Sequence, residues 1–118
     1  MPKIAAIVND LNVMTKIRNS ADWFGLSVGF VESNEHLEYY LKDCDLILVD
    51  LENGYLEPLG LISQIKSNKA TDAIKLIGFL SHINSPLKAQ AMAAGCNEVV
   101  SRFEFNSNLK EILHATTH

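Results

Sequence analysis

Short unbroken apolar runs alternate along the chain with segments whose apolar residues recur every three or four positions. Lys3 to Val8, Leu26 to Val31, Asp45-Leu46-Ile47-Leu48-Val49, Ile74 to Leu80 and Asn97 to Val100 are the runs. They read as strands, and DLILV is apolar enough to be buried on both faces. Val13, Ile17, Ala21 and Phe24 mark a helix over Asn12 to Phe24, stopped by Gly25. Ser33 caps a short helix carrying Leu37, Tyr40 and Leu41 inward. Leu59, Ile62 and Ile65 mark the third helix. Ser85-Pro86 opens a fourth that ends at Gly95, and Leu109, Ile112 and Leu113 line the last.

Strands alternating with helices imply a parallel sheet covered on both faces. Right-handed crossovers then favour a doubly wound, flavodoxin-like (βα)5 fold with strand order 2-1-3-4-5. In that order the carboxyl ends of strands one and three meet at the switch point, where open α/β sheets bind ligands. Asn9 and Asp10 follow strand one, and Asp50 ends strand three with Glu52 two residues on. Ser81 and His82 follow strand four, and strand five ends in Ser101-Arg102.

Composition narrows what such a crevice does. The 118 residues make one domain, 1–118, with 47% hydrophobic and 20% charged residues, as in ordinary globular proteins. A net charge of -4 argues against direct binding to nucleic acid or acidic membrane. No apolar run reaches a membrane span, and Met1-Pro2-Lys3-Ile4 lacks the apolar region of a signal peptide. Cys44 and Cys96 form no CxxC pair and have no histidine at ligand spacing, so they read as reduced, buried thiols of a cytoplasmic protein. Asn9-Asp10-Leu11-Asn12 is not a flavin phosphate cradle, and no nucleophile has an adjacent base, which disfavours an enzyme of this superfold.

The set Asn9, Asp10, Asp50, Ser81 and Arg102 resembles the response-regulator receiver domain of two-component signalling. That family has an acidic pair after strand one and a phosphorylatable Asp after strand three. It has a Ser or Thr after strand four and a Lys after strand five. The resemblance extends over essentially the whole chain, including Ala91-Met92-Ala93-Ala94-Gly95-Cys96 before the fifth strand. It implies Asp50 as phosphoacceptor, with Ser81 and Arg102 holding phosphoryl oxygens. It implies Mg²⁺ on Asp10, Asp50 and the Glu52 backbone carbonyl, oxygen donors of the kind Mg²⁺ takes. A histidine kinase or phosphotransfer protein would supply the phosphoryl group. A downstream target, or an output domain outside this chain, would read the face of strands four and five near Val99 and the helix from Pro86 to Ala94.

Several positions depart from the family pattern. Asn9 stands where an acid is usual, and Arg102 replaces the Lys, a planar fork for a compact point charge. Phe103 and Gly54 stand where prolines are common, His82 replaces a small residue, and Val99 replaces the usual aromatic. The alternative is a phosphorylation-independent pseudo-receiver that serves as a protein-interaction module. Each residue also has a plainer reading. Asp50 can be a turn residue, Asp10 a helix cap, and Ser81 a loop hydroxyl. Arg102 can pair with Glu98 or Glu104, and His82 can simply face solvent. Trp23, Phe24 and Tyr40 are expected in or near the core, and Glu35, His36 and Glu38 on a solvated face.

Overall fold

The computed structural model describes residues 3–54, 56–83 and 85–117. Its strands are β1 (Ile4–Ile7), β2 (Val28–Phe30), β3 (Leu46–Asp50), β4 (Lys75–Leu80) and β5 (Glu98–Ser101). Its helices are α1 (Leu11–Trp23), α2 (Asn34–Tyr40), α3 (Pro58–Ser67), α4 (Pro86–Ala94) and α5 (Arg102–His114). All strand pairs are parallel and the order is β2-β1-β3-β4-β5, the doubly wound topology that the sequence pattern predicts.

The pleat divides the core into two layers. Ala5, Ile7, Ile47, Val49, Leu76 and Leu80 face α2, α3 and α4, where Leu37, Leu61, Ile62, Ile65 and Ala91 are buried. Ile4, Ala6, Leu46, Leu48, Ile77 and Phe79 face α1 and α5, where Val13, Ile17, Ala21, Phe105, Leu109 and Leu113 close the other side. Phe79 and Phe105 stack with ring centroids 4.2 Å apart, joining β4 to the first turn of α5. Burying a side chain of that size contributes about 2–3 kcal/mol. The same alternation settles where Asp50 points. It continues the Leu46, Leu48 series, so its carboxylate faces the α1 and α5 side.

Element ends shift by a residue or two, for local reasons. Asp10 is the cap of α1, which therefore starts at Leu11. β2 is shorter than expected because Leu26 belongs to the turn after α1, where its amide bonds the Ala21 carbonyl. β5 runs one residue further, and Ser101 then caps α5 by accepting from the Glu104 amide. Arg102 is thus the first residue of a helix rather than the end of a strand. Ser33 caps α2 by accepting from the His36 amide, and Leu41 falls in a 3-10 turn after that helix. Glu35, His36 and Glu38 are exposed as expected.

Trp23 is a correction. It is 74% exposed, with the Lys110 ammonium 5.0 Å from its ring centroid, while Phe24 and Tyr40 are half-buried. Val13, Ile17 and Ala21 share one face of α1, and a residue two beyond Ala21 is turned well away from it. Both cysteines are free and buried, and burial pushes each thiol up to about 11. The Cys44 thiol donates to the Leu46 carbonyl at 2.9 Å. Among the described residues, no helix is long and apolar enough to cross a membrane.

Candidate functional site

Parallel register brings the carboxyl ends of β1, β3, β4 and β5 to one edge. Ile7 pairs with Val49, Asp50 with Phe79 and Leu80 with Ser101, so the residues just beyond each strand become neighbours. Asp50 is 5% exposed, a buried carboxylate at the centre of this edge. Its Oδ1 accepts from the Glu52 amide at 3.0 Å, and its own carbonyl accepts from the Asn53 amide at 3.1 Å. These bonds fold the chain after β3 into a tight turn. They leave Oδ2 facing the crevice.

Asp10 is held in the same manner. Its Oδ1 accepts from the Asn12 and Val13 amides at 2.8 and 3.2 Å, the expected helix cap. Its Oδ2 turns inward. Between the two carboxylates stands the Arg102 guanidinium, with Nη2 at 3.4 Å from Asp50 Oδ2 and Nη1 at 3.9 Å from Asp10 Oδ2. Arg102 also lies over the Phe79 ring, 5.3 Å from its centroid, which aims the fork across the crevice. Neither plainer partner holds Arg102: Glu98 pairs with Lys75 at 3.6 Å, and Glu104 bonds the Ser101 hydroxyl.

The Glu52 side chain is what sequence reasoning misses. Its Oε1 accepts from the Ser81 amide at 2.9 Å and from the Ser81 hydroxyl at 2.8 Å, and Arg102 Nη2 lies 3.8 Å away. Glu52 therefore ties the loop after β4 to the turn after β3. The only sequence signal is its place two residues beyond Asp50, and that spacing points to its backbone carbonyl alone.

Asp10, Asp50, Glu52, Ser81 and Arg102 thus meet at one place. Asn9 is exposed and lines a separate recess of about 300 Å³ with Phe30, Glu32 and Asn53. His82 is exposed, and Val99 is half-buried on β5 beside Gly78. Phe103, next to Arg102, is 79% exposed.

Among the described residues no three His, Cys, Asp or Glu side chains gather as a metal cage. Two carboxylates nevertheless each commit one oxygen to backbone amides and turn the other to the crevice. Mg²⁺ accepts such a sparse donor set because it keeps several waters. The residues fit it, in competition with the Arg102 guanidinium.

No protein-family profile matches the sequence, and no curated protein matches it. Solved structures do. The structure of a response regulator from Thermotoga maritima aligns with a TM-score of 0.76 at 18% identity, covering 99% of this chain and 98% of that one. The receiver domain of a sensor histidine kinase from Pseudomonas aeruginosa, with a magnesium ion coordinated in its active-site cleft, aligns at 0.80 and 16% identity, covering 98% and 97%. An orphan response regulator of Helicobacter pylori aligns at 0.73 and 19% identity, covering 98% and 95%. At such identities the likeness is one of fold, and the fold is that of the receiver domain.

Proposed function

We propose, from that fold and the crevice it carries, that this chain is a signalling receiver that accepts a phosphoryl group on Asp50. The observation that carries the reading is the approach of Arg102 to Asp50 from 52 positions away. A buried carboxylate whose crevice-side oxygen meets a guanidinium, with the Ser81 hydroxyl held at the same edge through Glu52, suits phosphoryl transfer.

In the proposed reaction Asp50 Oδ2 attacks the phosphorus of a phosphohistidine or small phosphodonor. A P–O bond forms to Asp50, the donor's bond to phosphorus breaks, and the leaving group departs with its electron pair. Arg102 and Ser81 donate to the transferred oxygens; water later attacks phosphorus, the P–O bond to Asp50 breaks, and inorganic phosphate leaves as the carboxylate takes back its electron pair. When bound by Asp10, Asp50 and the Glu52 carbonyl, magnesium supplies charge neutralisation at those oxygens. A histidine kinase or phosphotransfer protein is the proposed donor. A protein target, or an output domain beyond this chain, would read the β4 and β5 face.

The Asn9 substitution and the engagement of Ser81 by Glu52 favour a second reading, a pseudo-receiver that binds partners without phosphate. Amide chemical shifts on adding beryllofluoride and Mg²⁺ separate the two. Shifts centred on Asp50 and Ser81, abolished in Asp50→Asn, support the phosphoacceptor. An unchanged spectrum at saturating beryllofluoride sinks it.

A further inference from the structure

Two donors converge on Glu52 Oε1, the Ser81 amide at 2.9 Å and the Ser81 hydroxyl at 2.8 Å, and the Arg102 guanidinium that donates to Asp50 stands 3.8 Å from the same oxygen. An amide and a hydroxyl aimed at one point, with a guanidinium charge close by, make a receptor for a small oxyanion. Its occupant is the Glu52 carboxylate. We infer that Glu52 is a resident anion that fills this oxyanion pocket from within the chain and competes with any phosphoryl group on Asp50.

The competition follows from chemistry. Resting on the phosphoacceptor reading above, a phosphoryl group on Asp50 brings three acceptor oxygens and about two negative charges beside Ser81 and Arg102. Those oxygens need the donors that Glu52 holds, and the Glu52 charge repels them. Glu52 must swing out before the modified site is satisfied. It has somewhere to go, since its side chain is 38% exposed. Until then Ser81 is pinned towards the crevice in the unmodified protein, and the loop after β4 with it. Glu52 is thus a positioning residue for Ser81 and a brake on acceptance by Asp50.

The test uses the whole chain as wild type, Glu52→Gln and Glu52→Ala. A Gln oxygen still accepts from Ser81 while carrying no charge, and Ala can do neither. Without any phosphodonor, the Ser81 amide should exchange with solvent several-fold faster in E52A than in wild type, with E52Q close to wild type. Equal exchange in all three overturns the pinning. With Mg²⁺ and acetyl phosphate, the Asp50 adduct measured by intact mass should form several-fold faster in E52A, with E52Q also accelerated by loss of the repelling charge. Equal rates overturn the competition. If no protein forms an adduct while Ser81 is still released in E52A, the phosphoacceptor reading falls and the pinned pocket stands.

Discussion

Arg102 Nη2 and Asp50 Oδ2 lie 3.4 Å apart across 52 residues of sequence, joining the start of α5 to the end of β3. The two partners are unequally exposed, 30% for the arginine side chain and 8% for the aspartate. That asymmetry sets the first prediction. Arg102→Ala leaves a buried carboxylate without its cation and should cost about 1–2 kcal/mol, between the values for exposed and buried pairs. Asp50→Asn keeps an oxygen for the Glu52 amide and leaves Arg102 with Asp10 and Glu52, so its stability should stay within about 1 kcal/mol of wild type. Urea denaturation of both variants checks the order, and a larger loss in Asp50→Asn would contradict it.

The uneven legibility of this chain has a physical pattern. Short apolar runs alternating with helical periodicity, such as DLILV, read as interior strands, and chain handedness then favours the order that the sheet shows. The placements of Asp10, Asp50 and Ser81 follow in turn, because strand ends are fixed by the sheet. The pattern puts Arg102 at the right edge but on the wrong element, since the cap role of Ser101 depends on a turn that apolar periodicity does not report. Trp23 misleads because a large aromatic next to a helix stop reads as core, whereas its angular position on α1 turns it outward. Glu52 is invisible as a side chain because its partner is a loop 29 positions away.

Two glycines respond oppositely to a methyl group. Gly95 ends α4 at φ 126°, and a Cβ there would lie 2.5 Å from Lys66 Cγ and 2.8 Å from Lys66 Cβ. Lys66 is itself fixed by bonds from its ammonium to the Ile74 carbonyl and Asn97 Oδ1. Gly95→Ala should therefore cost at least about 2 kcal/mol. Gly60 lies within α3, and a methyl added there would meet nothing within 4 Å, so Gly60→Ala should stabilise by about 0.5 kcal/mol. Thermal midpoints of the two variants, moving in opposite directions, are the check.

Buried thiols make the fold sensitive to alkali. Burial raises the Cys44 and Cys96 pKa values from 9.0 to about 11, favouring the neutral form in the folded state. Their contribution to stability is complete below pH 9.0, where both states keep the proton, and is lost as pH rises through about 11. The urea midpoint should fall over that interval, and it should fall less in the variant with both cysteines changed to alanine. Equal slopes in the two proteins would contradict this.

Trp23 is the single tryptophan and stands 74% exposed against Lys110. The folded protein should show the emission of a solvated indole and be quenched by iodide nearly as well as the unfolded chain. Strong protection from quenching would place Trp23 in the core after all.

Whether Asp50 accepts a phosphoryl group is decided most directly by intact mass after incubation with Mg²⁺ and acetyl phosphate, wild type beside Asp50→Asn. The predicted result is one added phosphoryl group in the wild type and none in the variant. No adduct on the wild type, or an equal adduct on both, would contradict Asp50 as the acceptor.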